Sequence, residues 1–187
     1  MKVRLPRRSV LVFEDETDLH LHPRLAPLWH EAGKQPAVLA PGQNRKGYAF
    51  GAVNFRTGRL TFALTERKRG SEFLAFCRTL LRAYPRQRVF CVLDNCGIHA
   101  TEAVRAFRER HPRLVFVPLP TYSPNLNPIE PVWKHWKRWS TVNRVFPDLP
   151  ALQDAFRHTG VTRLRRNRWA AVRRIVGEST EKLVGVT

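Results

Sequence analysis

Apolar residues in this chain fall into short runs whose period shifts between two and about 3.6, and those shifts predict its elements. Residues 9–13 (SVLVF) form a β-branched run closed by Glu14, Asp15 and Glu16, the pattern of a buried strand that stops at a polar rim. Residues 17–46 carry four prolines among scattered glycines and histidines. They are expected to be irregular, and they are too long for a simple turn. Residues 48–55 and 60–64 flank Arg56-Thr57-Gly58-Arg59, where the glycine suits a hairpin turn, so the two form an antiparallel pair. Ser71 is placed to cap a helix in which Phe73, Leu74, Cys77, Leu80, Leu81 and Tyr84 recur at helical spacing until Pro85.

The continuous apolar run 89–93 (VFCVL) reads as a strand covered on both faces. Residues 101–110 read as a helix, 114–117 as a further strand and the proline-rich stretch 118–128 as a stiff loop. Helical spacing resumes over 129–139, with Ile129, Val132, Trp133 and Trp136 on one side and Lys134, Lys137 and Arg138 on the other. Two more helices are expected beyond Pro150, the second over 161–176. Three strands, then helix, strand, helix, strand and terminal helices describe an α/β fold. It is a mixed sheet, three antiparallel strands followed by parallel ones, flanked by helices. That order is the ribonuclease H-like plan. Residues 1–150 are expected to form this domain, and 151–187 a basic helical extension packed on or following it.

A length of 187 residues fits one domain with an appendage. Charge changes the picture more: 33 Lys+Arg against 15 Asp+Glu leave +18, and 26 of the 33 bases are Arg. Arginine's planar fork grips phosphate in two places, which points to nucleic acid. An acidic protein, an anionic membrane surface or compositional drift would also account for such a charge. No run reaches the ~18 apolar residues of a membrane span, and the apolar stretch near the N-terminus is too short for a secretory signal. A location in the cytoplasm, with no membrane partner, is therefore expected. Cys77, Cys91 and Cys96 are odd in number and lack CxxC spacing, so reduced thiols are expected.

Among so few acids, three stand at element ends: Asp15 after the first strand, Asp94 after the fourth, and Glu130 opening the 129–139 helix. Adjacent parallel strands end at one edge, which can bring Asp15 and Asp94 side by side and Glu130 to the same rim. Three close carboxylates repel unless a hard cation neutralises them, and magnesium is suited to that. Each acid also has an ordinary role open to it: a cap, an Asx turn, or an acid in a helix's first turn.

The segments FEDETDLHLHP, VLDNCGIHA and TYSPNLNPIEPVWKHWK resemble, in order, the three catalytic blocks of DDE transposases in the mariner-like superfamily, bacterial insertion-sequence branch. Thirty-five residues separate Asp94 from Glu130, close to that family's gap, and the resemblance runs over about 10–156. It implies a ribonuclease H-like core in which Asp15, Asp94 and Glu130 bind two Mg²⁺, with Mn²⁺ able to substitute. The family cleaves DNA at transposon ends and transfers the freed 3′-hydroxyl to target DNA. In the matching blocks Glu16, Asn95, His99 and Asn127 are candidates to orient carboxylates or touch phosphate. Trp29 and Gly33 resemble residues of a loop that contacts DNA or a partner subunit; an anchor onto the core is the competing role for Trp29. Trp133 and Trp136 are expected in the core. Arg163, Arg165, Arg166, Arg168, Arg173 and Arg174 are expected to track DNA phosphates from the last helix.

Relatives carry helix-turn-helix modules ahead of the catalytic domain, whereas only residues 1–8 precede the first strand here. The expectation is a truncated copy or the second half of a split transposase, joined by frameshifting to a separately encoded module and acting as a homodimer on DNA. Two alternatives stay open: a non-enzymatic DNA-binding or inhibitory fragment, and a metal-dependent nuclease without strand transfer.

Overall fold

The computed structural model describes residues 6–27, 29, 31–34, 37–38, 42–120, 123 and 126–164. Strands β1 (Ser9–His20), β2 (Lys46–Asn54) and β3 (Leu60–Thr65) are followed by helix α1 (Gly70–Ala83), strand β4 (Arg88–Leu93), helix α2 (Glu102–Arg110) and strand β5 (Leu114–Pro118). Helices α3 (Ile129–Ser140) and α4 (Leu149–Thr159) complete the set, and a π-helical turn covers Gly160–Leu164. The sheet order is β3-β2-β1-β4-β5. The first three strands are antiparallel, while β4 and β5 run parallel to β1, so the expected mixed sheet is present.

The first strand departs from expectation. It does not stop at Phe13 but continues seven residues to His20, because β2 pairs with it from Val12↔Asn54 to His20↔Lys46. The acids therefore lie inside a strand, where successive side chains alternate between faces. Phe13 and Leu19 enter the core beneath α3 and α4, around Ile129, Val132, Trp133 and Phe156. Val12 enters the core beneath α1 and α2, around Phe50, Phe73, Phe76 and Phe107. Asp15 follows Phe13, and Glu14 and Glu16 follow Val12.

The β2–β3 turn forms as its sequence suggests. Gly58 takes φ +71°, and the Asn54 side chain accepts from the Arg56 and Thr57 amides. Ser71 is not the cap of α1: the helix begins at Gly70 after an extended Arg69, and Ser71 donates instead to Glu72. Gly70 passes close to Thr101, which places that threonine where its hydroxyl caps α2 by accepting from Val104 N. Asp148 caps α4, the first of the two late helices; the second lies largely outside the described residues. Cys77, Cys91 and Cys96 are free thiols.

Candidate active site

β4 stops at Leu93, and its register with β1 sets Phe13 opposite Val92, so two residues further along Asp15 and Asp94 stand at the same level. α3 packs over β1 and β2 on the face that carries Asp15. Asn127 fastens its start: Nδ2 donates to the Glu14 carbonyl at 2.9 Å, and its own carbonyl accepts from Glu130 N. Glu130 is exposed in the first turn of α3, on the Asp15 side of the sheet. Asp15 thus feels the charges of both Glu130 and Asp94, while the acids and histidine whose ligand atoms lie within 4.8 Å of one another among the described residues are Glu14, Glu16 and His99.

Asp15 carries the electrostatic signature of the rim. Burial, followed by the negative charges of Glu130 and Glu16, pushes its carboxyl up from 3.8 to about 7, and Asp94 adds to the effect. Asp94 forms the Asx turn that its sequence also allowed, accepting from Cys96 N at 2.9 Å through Oδ1. Its side chain remains about half exposed. Carboxylates offer oxygen donors only, and a set of them in which one is raised to about 7 by burial and by its neighbours' charges suits a hard divalent cation.

One contact at the rim could not be foreseen from the pattern of apolar positions. Trp133, expected and found in the core at 2% exposure, also donates from Nε1 to Asp15 Oδ2 at 3.2 Å. Gly51 makes room for it. Gly51 sits opposite Asp15 in the β1–β2 ladder, and a Cβ there would fall 2.6 Å from Trp133 Cζ2 and closer still to Cη2. The i, i+3 spacing from Glu130 to Trp133 was the available signal, since it puts both on one side of α3.

On the opposite face of β1 lies a second charged group, of which the sequence pointed only to Glu16 and His99. Glu14 is 1% exposed and neither of its carboxylate oxygens has a hydrogen-bond partner among the described residues. Burial and then the Glu16 charge raise it well above the carboxylate range. Glu16 pairs with His99 at 3.0 Å and with Lys68 at 3.1 Å. Burial alone would raise Glu16, but the His99 hydrogen bond and the two cations outweigh it and hold it low. His99 in turn donates from Nδ1 to the Asp94 carbonyl at 3.1 Å. Glu16 and His99 thereby tie β1 to the turn bearing Asp94. Asn95 braces that turn from outside, donating to Leu119 O.

Other candidates are not gathered here. Trp29 is fully exposed, so it does not anchor its segment onto this chain's core, and Gly33 has φ +82°. The backbone of Arg163 lies in the π-helical turn, and Arg165, Arg166, Arg168, Arg173 and Arg174 lie outside the described residues.

Residues 10–153 match the family model described as DDE superfamily endonuclease. The chain belongs to that family. Within it, the chain is 29% identical over 147 residues to the insertion element IS630 39 kDa protein of Shigella sonnei, covering 78% of this chain and 43% of that protein. Among solved structures this DDE domain is similar to the Mos1 transposase paired-end complex with left transposon end (TM-score 0.66, 17% identity, 94% of this chain and 54% of that chain). It is also similar to the Mos1 mariner paired end complex with Mn (0.66, 18%, 92% and 53%) and to the Mos1 mariner transposase catalytic domain (0.61, 16%, 94% and 81%). The last likeness carries the ribonuclease H-like fold across nearly the whole chain. The DDE chain spans less than half the length of the IS630 relative and about half that of the transposase chains in the Mos1 complexes.

Proposed function

We propose that this DDE endonuclease domain is the catalytic part of a transposase, cutting DNA at transposon ends and transferring the 3′-hydroxyl into target DNA. What supports the reading is the register that sets Asp15 level with Asp94, together with the Asp15 carboxyl raised to about 7 by burial and by the charges of Glu130, Glu16 and Asp94. These three side chains would hold two Mg²⁺, or Mn²⁺ in their place; the Mos1 complex with Mn supports divalent metal in this fold. When bound, the ions would neutralise the clustered carboxylates and polarise the phosphodiester under attack.

The chain's own residues supply the geometry. Trp133 orients the Asp15 carboxylate, Asn127 sets the angle at which α3 delivers Glu130, and His99 with Glu16 steadies the Asp94 turn. The catalytic domain, expected over 1–150, runs on through α4, whose Leu152 and Phe156 belong to its core, and the arginines beyond α4 hold DNA backbone. Trp29 serves as a contact for DNA or a second subunit in a homodimer assembled on DNA. A helix-turn-helix module supplies end recognition, and the site of action is the bacterial cytoplasm. No described helix is long and apolar enough to cross a membrane.

The purified chain is expected to nick DNA in Mg²⁺ or Mn²⁺, and Asp94→Ala to reduce nicking to background. Nicking that survives this change would remove Asp94 from the site. Ligated strand-transfer product separates a transposase from a plain nuclease, and steeply salt-dependent binding without cleavage would mark a binding fragment.

A further inference from the structure

Beside Glu130 a groove of about 420 Å³ runs along α3, with an apolar floor that includes Trp133 and a polar lining of Thr17, Arg24, Glu130, Lys134, Lys137 and Arg138. Positions 130, 134, 137 and 138 share one side of the helix, a span of about 12 Å, which matches the axial rise of three to four nucleotides on one strand. The opposite wall is the segment around Arg24, and it is built in place. Asn143, in the left-handed conformation with φ +55°, donates its backbone N–H to Arg24 O at 2.9 Å. Its side chain bonds both the N–H and the C=O of Ala26, at 2.9 and 3.0 Å, and Arg24 bridges Val142.

Four cations line this groove, and three of them, Arg24, Lys134 and Arg138, make no ion pair among the described residues. Lys137 contacts Asp18 at 3.4 Å, yet burial together with the adjacent Arg24 charge holds its ammonium below its ordinary range. Three cations held at close quarters with no ion pair of their own complement a polyanion. Arg24 and Lys137 also line the adjoining hollow at Asp18 and His20, about 270 Å³, so the two form the ridge between the depressions.

We propose that this groove is a phosphodiester-backbone site in which Arg24, Lys134, Lys137 and Arg138 hold the phosphates of a DNA strand next to Glu130. The assignment rests on the DNA-cleaving reading of the rim and adds the path by which the strand reaches it. It makes no base contacts, so its contribution is independent of sequence.

The test is binding of a fluorescent oligonucleotide, single-stranded and duplex, to the full chain across a salt series in EDTA, where cleavage plays no part. The variant Arg24→Ala/Lys134→Ala/Arg138→Ala is compared with Arg82→Ala/Arg105→Ala/Arg110→Ala, which removes the same charge from exposed positions on α1 and α2. The groove variant is expected to bind at least ~10-fold more weakly than wild type at low salt, with a log–log salt slope shallower by about 2–3. The control should lose less than threefold. Equal losses in the two variants, or wild-type affinity in the groove variant, overturn the site. Thermal unfolding of both variants verifies that each is folded. Because the readout needs no metal, loss of binding in the groove variant stands even if Asp94→Ala leaves nicking intact, and the converse result removes the groove alone.

Discussion

Replacing Asp15 with asparagine is expected to stabilise the metal-free protein at pH 8 while abolishing cleavage. The folded state holds a proton on Asp15 more tightly than the unfolded chain does, because burial and the charges of Glu130 and Glu16 disfavour the carboxylate. Its stabilising contribution is therefore full below about pH 4 and is lost as the pH rises through 7. A rise from 3.8 to about 7 corresponds to about 4 kcal/mol at most. Asparagine keeps the shape, and an acceptor for the Trp133 N–H, without the charge. In EDTA at pH 8 the variant should unfold about 5–10 °C above wild type, with the gap closing toward pH 4. Adding Mn²⁺ should raise the unfolding temperature of wild type and leave the variant nearly unmoved. A variant no more stable than wild type in EDTA would show that the rim carries no stored repulsion.

Gly51→Ala should lower both stability and activity through one displaced ring. The added methyl meets the Trp133 indole well inside contact distance, and the rigid stack of Trp133 on Trp136, and of Trp136 on Phe156, leaves the ring little room to retreat. Overpacking of this kind costs about 1–3 kcal/mol, and loss of the donor to Asp15 should reduce nicking and Mn²⁺ affinity by about 10–100-fold. Trp133→Phe separates the two effects. It retains an aromatic ring and removes the N–H, so metal affinity measured by calorimetry should fall while the unfolding temperature drops by less than in Gly51→Ala. Unchanged Mn²⁺ affinity in Trp133→Phe would reduce the indole to packing.

The order of elements was legible because each strand and helix carries its own period, and because the turns are local: Gly58, Thr101 and Asp148 act on residues within a few positions. The length of β1 was not legible. Its continuation past Phe13 depends on β2, whose partners lie 26 to 38 residues along the chain and whose pairing overrides the polar character of Glu14 to His20. Asp15, Asp94 and Glu130 could be singled out as acids at expected element ends, although Asp15 lies within β1, level with the end of β4. The buried pairing of Glu16 with His99 spans 83 residues, and no local pattern encodes it. Strand alternation did carry the hint that Glu14 and Glu16 face away from Asp15. Helical spacing marks Trp133 as core but says nothing of its polar atom, although a buried indole usually finds an acceptor.

The two ties from α3 back to β1, Asn127 to the Glu14 carbonyl and Trp133 to Asp15, link segments 113 and 118 residues apart. Contacts of such sequence separation form only after intervening chain has been made and collapsed. On the reading proposed for the rim, a chain still emerging from the ribosome has β1 and β4 in place without the acid and the orienting indole that α3 delivers. Competence to cut DNA then waits on the docking of α3 against a sheet whose strands all precede it in the chain.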